Sequence, residues 1–158
     1  MNTKSELFFL DLEETIIHSF SDPVLCNVQR IRSFLKKAGA TEVHIFSYAI
    51  HDDFDRETFN KHIKPTVELA LGVKVMSCVT VPEMVKADYE YTGVKFEKGH
   101  EVSEFIQLRG KKDGFINYVL ARCGKFTRAV LIDDIVPDLT VTHRKKGWSI
   151  ELWNVNSI

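Results

Sequence analysis

The residues best suited to chemistry lie at the ends of two apolar runs. Leu7-Phe8-Phe9-Leu10 leads into Asp11, with Glu13 two positions on and Thr15 two beyond that; Ala129-Val130-Leu131-Ile132 leads into the pair Asp133-Asp134. A run that is apolar throughout, without alternation, is expected at the centre of a parallel sheet covered on both faces. The carboxyl ends of such strands open onto the ligand crevice of α/β folds, so Asp11 is expected at that rim. A carboxylate there can attack a phosphorus centre and form an aspartyl-phosphate, and the chain at residue 13 can turn a carbonyl and a side chain towards the same point. With the two strands side by side, Asp11, Asp133 and Asp134 converge, which is costly without a cation. Mg²⁺, which takes a few carboxylates, waters and a phosphate oxygen, suits such a set.

Each of these residues also has an ordinary reading. Asp11 can be a turn or capping residue, Asp133-Asp134 can cap a following helix, and Ser47 can be a turn serine. His18, His51 and His143 read as surface or packing histidines. The His51-Asp52-Asp53 group reads as a substrate-facing loop rather than a second metal site.

The elements that must position the acids alternate between strand and helix. Val28, Ile31, Phe34, Leu35 and Ala38 mark one face of a helix over 27–38, which Gly39 ends. A second strand is expected over Val43 to Phe46, followed by Asp55 as a helix cap. Pro65 opens a short helix that Gly72 stops before a strand over 73–79. Residues 80–110 read as the least regular stretch, a small excursion that Tyr89 and Tyr91 pack. Phe115, Ile116, Val119, Leu120 and Cys123 form another helical stripe closed by Gly124, and the strand ending in Asp133-Asp134 follows. Pro137 is expected to begin a last helix, which Gly147 ends, and 148–155 a final strand. Repeated βα units of this kind predict a mostly parallel sheet with right-handed crossovers.

Composition fits a single domain over 1–158. The chain of 158 residues is long enough to bury a real core, and 44% apolar with 27% charged residues excludes a disordered chain. No run approaches the roughly 20 apolar residues that span a bilayer, so no membrane partner is expected. The amino terminus leads straight into a core strand, so no secretory signal is expected. Cys26, Cys78 and Cys123 lack metal-ligand spacing and read as reduced thiols of a cytoplasmic protein. A net charge of −1 provides no global field for nucleic acid, although Lys36-Lys37, Arg109 to Lys112 and Arg144 to Lys146 form local basic patches.

The order of these segments resembles the haloacid dehalogenase (HAD) superfamily, whose first motif is hydrophobic-Asp-x-Asp-x-Thr. Asp11-Leu12-Glu13-Glu14-Thr15 is similar to the opening of the RNA polymerase C-terminal-domain phosphatases and the Eyes-absent phosphatases. Val43-His44-Ile45-Phe46-Ser47 resembles the second motif, Asp133, Asp134 and Asp138 the fourth, and Lys111 or Lys112 the third. Lys112 is favoured there because it stands one residue before Asp113, read as a helix cap. The stretch from Lys112 to Val155 looks like the phosphatase half of phage polynucleotide kinase-phosphatases.

The resemblance implies a HAD-like Rossmannoid three-layer sandwich with a mostly parallel central sheet and little or no cap. It also implies a Mg²⁺-dependent phosphomonoester hydrolase. In that scheme Asp11 is the nucleophile, Glu13 the acid and then the base, and Ser47 and Lys112 balance the charge on the transferring oxygens. Thr15, Ser47, Lys111 and Lys112 face the substrate, and Asp11, Glu13 through its carbonyl, Asp133 and Asp134 hold the metal. An uncapped site implies a large substrate, a nucleic-acid end or a phosphoprotein. One position departs from the pattern: Glu13 stands where phosphatases of the family carry Asp. The extra methylene moves the acid by about an ångström, a displacement that can cost on the order of 10²-fold. The competing expectation is therefore a binding or regulatory module that keeps the metal pocket without turnover.

Overall fold

The computed structural model describes residues 6–158; the amino-terminal residues on which the expectation of no secretory signal rests lie outside them. Among the described residues six strands form one sheet: β1 (Glu6–Leu10), β2 (Glu42–Phe46), β3 (Lys74–Val79), β4 (Arg128–Asp133), β5 (Leu139–His143) and β6 (Trp148–Asn154). Their order is β3-β2-β1-β4-β6-β5, parallel throughout except for β5, which runs antiparallel to β6. The two acid-bearing strands are neighbours. β1 pairs with β4 from Glu6 opposite Arg128 to Leu10 opposite Ile132, and the Asp11 amide continues the ladder to the Ile132 carbonyl at 3.0 Å. Asp11 and Asp133 thus emerge together at the carboxyl edge of the sheet.

The unbroken apolar runs of β1 and β4 follow from burial on both faces. Phe8, Leu10, Val130 and Ile132 point to one side, where they pack with Ile31 and Leu35 of α1 (Val28–Ala38) and Val67 and Leu71 of α3 (Lys64–Leu71). Phe9, Ala129 and Leu131 point to the other and meet Met84 of α4 (Val81–Thr92) and Phe105, Phe115 and Val119 of α5 (Glu101–Arg122). The result is an α/β sandwich of the Rossmann-like kind, with helices on both faces of a mostly parallel sheet. Each wholly buried Leu or Phe contributes about 1.5–3 kcal/mol.

Several expected elements differ. Residues 80–110 are regular: α4 and the first half of α5 occupy most of them. Thr80 caps α4 through a reciprocal capping box with Glu83. The helix expected from Pro137 to Gly147 is instead β5 and a turn, because Leu139 to His143 alternate in a hairpin with β6. The cap of α2 (Asp53–Thr58) is Asp52, whose side chain accepts the Asp55 amide at 2.8 Å, while the Asp55 carboxylate accepts the His51 amide. α2 continues through a π-helical turn, Phe59–Ile63, into α3. Among the described residues no helix is long and apolar enough to cross a membrane.

Candidate active site

Asp11 is held at both oxygens. Thr15 Oγ1 donates to Oδ2 at 2.9 Å and Lys111 Nζ to Oδ1 at 2.9 Å, with Asp11 and Thr15 both buried. Thr15 reaches back because the chain after Asp11 makes a tight turn: the amides of Thr15, Ile16 and Ile17 all bond the Leu12 carbonyl. Leu12, Ile16 and Ile17 are fully buried and anchor that turn in the core. Glu14 takes a left-handed conformation (φ 61°), and Asn27 Nδ2 bonds the Thr15 carbonyl at 2.9 Å from the start of α1. The Glu13 carboxylate accepts the Phe20 amide at 2.6 Å, which ties the acid to the returning limb of the loop.

Asp133 and Asp134 complete the cluster. One oxygen each of Asp11, Asp133 and Asp134 lie within 4.8 Å of one another. Asp133 is fully buried, and its Oδ2 accepts the amides of Ile135 and Val136 at 2.9 and 3.2 Å. Its Oδ1 lies 2.8 Å from Lys111 Nζ, an ion pair. Burial pushes the Asp133 carboxyl above the usual carboxylate range, against the pull of Lys111. Three carboxylates around a single ammonium fit a divalent cation: one positive charge does not balance three negative ones, and the donors are all hard oxygens.

Lys111 is delivered by a break in α5. Gly110 adopts φ 62° and ψ −163° inside the helix, so the chain leaves the helical path and resumes it at Lys111. Tyr48, just after β2, donates its hydroxyl to the Gly110 carbonyl, and its ring lies 4.8 Å from Lys111 Nζ. A side chain at Gly114 would collide with that hydroxyl, which accounts for glycine there. Burial disfavours the Lys111 ammonium, but Asp11 and Asp133 outweigh it and raise its pKa above the usual lysine value. Burial first, then Asp133, Asp88 and Asp11, keep the Tyr48 phenol protonated well beyond the usual tyrosine range.

Of the two candidate lysines, the structure brings Lys111 and not Lys112 to the acids. Lys111 meets the carboxylates, whereas Lys112 is 45% exposed and lies 3.9 Å from Asp113. Ser47 is buried at the end of β2 and lines the same cavity as Asp11, Glu13, Lys111 and Asp134; its hydroxyl accepts the Ala49 amide at 3.2 Å. Asp138 stays outside the carboxylate cluster and accepts the Asn154 amide at 2.8 Å.

Sequence reasoning missed Tyr48 and a buried carboxylate behind the helix break. Asp88 of α4 accepts from Arg109 Nε at 2.9 Å and from Asn117 Nδ2 at 2.7 Å. The sequence signal for this network was an acid followed by Tyr89 and Tyr91, too common a pattern to single out. The cavity over the cluster encloses about 630 Å³, and Phe20, Ile106 and Ile135 form part of its wall. The chain matches no family model, no curated protein and no solved structure.

Proposed function

We propose that this chain is a HAD-like, Mg²⁺-dependent phosphomonoester hydrolase that works through an aspartyl-phosphate. The observation that carries the reading is the meeting of Asp11, Asp133 and Asp134 with Lys111 at the carboxyl ends of adjacent parallel strands. An Asp11 oxygen attacks phosphorus in line; the new O–P bond forms as the bond to the leaving alcohol breaks. Thr15 fixes the rotation of the nucleophile, and Lys111 balances charge on the nucleophile and the transferring group. Ser47, at the end of β2, is positioned to bind a phosphoryl oxygen through its hydroxyl. Glu13 gives its proton to the leaving oxygen and then takes one from the water that releases phosphate from Asp11. Mg²⁺, held by Asp11, Asp133, Asp134 and the Glu13 carbonyl, would supply further neutralisation of phosphoryl charge.

The test is turnover of benzyl phosphate with saturating Mg²⁺ by wild type and Asp11→Asn. Activity in the wild type that falls below a few per cent in the variant supports the reading; retained activity assigns the chemistry to another residue. A second reading, a phosphate-binding module without turnover, is favoured by one observation: the Glu13 carboxylate is already engaged by the Phe20 amide. Binding of Mg²⁺ and phosphate by a wild type that turns over no substrate would establish it.

A further inference from the structure

We infer that the site selects phosphomonoesters of uncharged, apolar alcohols and not the phosphorylated end of a nucleic acid. This inference rests on the hydrolase reading and narrows it. A polynucleotide carries a charge at every residue and is held by lysines and arginines that neutralise its phosphates. The three basic patches of the chain do not serve this site. Lys36-Lys37 close α1, which returns antiparallel to the strands, so they lie at the amino edge of the sheet, opposite Asp11. Arg144 to Lys146 form the turn before β6, whose Ser149 pairs with Arg128 at that same far edge. In the third patch, Arg109 is committed to buried Asp88 and Lys111 to Asp11 and Asp133, which leaves Lys112 alone.

The cavity itself has the opposite sign. Asp11, Glu13, Glu14, Asp55 and Asp134 contribute five carboxylates to its lining against the single ammonium of Lys111, with His51 the other titratable base. One divalent cation leaves that lining negative. It can hold one phosphoryl group through the cation and Lys111, but each further phosphate would meet uncompensated carboxylates.

Beside those carboxylates the cavity offers the remainder of a substrate an apolar wall. Phe20 comes from the loop after β1, Tyr48 and Ala49 from the segment after β2, Ile106 from α5 and Ile135 from the segment after β4. Ile135 is 77% exposed, a large aliphatic side chain beside the metal-binding acids with little packing of its own. A pocket that combines an apolar wall with a few convergent polar groups is the usual form of a small-molecule site.

The experiment compares benzyl phosphate, glycerol 1-phosphate and single-stranded DNA hexamers phosphorylated at the 3′ or 5′ end, all with Mg²⁺. The leaving groups are all alkoxides, so intrinsic reactivity differs little and kcat/KM reports recognition. Calorimetry with benzylphosphonate and methylphosphonate gives the same comparison without turnover. Benzyl phosphate should exceed glycerol phosphate and both hexamers by about tenfold or more, an increment in keeping with burial of one aromatic ring. Ile135→Ala should lower kcat/KM for benzyl phosphate several-fold more than for glycerol phosphate, with the backbone amide to Asp133 kept. Ile135→Lys should improve the hexamers. Hexamers turned over faster than benzyl phosphate, or equal benzyl and glycerol rates, overturn the inference and leave the hydrolase reading standing. No turnover with tighter benzylphosphonate binding supports the apolar preference while overturning hydrolysis. No turnover and no phosphonate binding overturns both.

Discussion

Asp88 and Arg109 form a buried ion pair at the point where α5 breaks, with Arg109 Nε 2.9 Å from Asp88 Oδ1 and Gly110 the next residue. The same oxygen takes Asn117 Nδ2 at 2.7 Å from the far side of the break. One carboxylate of α4 thus grips both arms of the bent helix and fixes where Lys111 begins the second. Asp88→Ala leaves the Arg109 guanidinium largely buried without its partner, so stability should fall by about 3–5 kcal/mol. Asp88→Asn keeps an acceptor for Asn117 and should cost less. Guanidinium unfolding of the three proteins checks the order; an Asp88→Ala variant within 1 kcal/mol of wild type by that rough scale would show that the pair does not hold the bend.

The sheet and the acids were readable because their signal is local. Burial on both faces leaves β1 and β4 as unbroken apolar runs, and each run ends in its acid. What escaped reading depended on contacts between distant segments. Gly110 falls in the stretch read as irregular, and only the contact of its carbonyl with Tyr48, from the segment after β2, accompanies the break that presents Lys111 to the carboxylates. The strand Leu139 to His143 was hidden by Pro137 before it and Gly147 after it, which imitate helix punctuation. Thr80-Val81-Pro82-Glu83 was legible as a helix start by its capping-box spacing and proline, but the aromatic residues and glycines beyond it favoured an irregular reading.

Mg²⁺ should bind with Asp11, Asp133 and Asp134 as ligands. Titration calorimetry should show a single event in the wild type that Asp134→Ala removes, and saturating Mg²⁺ should raise the unfolding midpoint of the wild type only. Equal affinity in the variant would place the ion elsewhere. Asp134 is the right probe because it is partly exposed, so its loss leaves the core intact.

Glu83 links stability to acid. Burial works against its charge, but the Thr80 amide and Arg56 hold its pKa below the ordinary 4.5. A folded-state pKa below the unfolded one contributes stability that is full above about pH 4.5 and is lost as pH falls through the folded value. Glu83→Gln should therefore destabilise the protein by about 1 kcal/mol near pH 7, through loss of the charge that faces Arg56, and the gap should close towards pH 3. Denaturation curves at several pH values test this; a constant gap would mean that the ionised form has no special role.

The Glu13 carboxylate accepts the Phe20 amide at 2.6 Å. Shortening it to Asp withdraws the carboxylate by about an ångström, a misplacement of the size that costs catalysis heavily, and it leaves the Phe20 amide without its acceptor. The loop between Asp11 and α1 is thus fitted to Glu, so the acid that meets a leaving oxygen should also be the longer one. Glu13→Asp should slow turnover about tenfold or more, with kcat affected more than KM, because the proton transfer belongs to the transition state and not to ground-state binding. Phe20→Ala keeps the backbone amide and serves as the control for loss of the apolar wall: it should raise KM for benzyl phosphate with little change in kcat. A faster Glu13→Asp protein would mean the opposite, that the metal, nucleophile and phosphate contacts await an Asp and that Glu13 suppresses turnover.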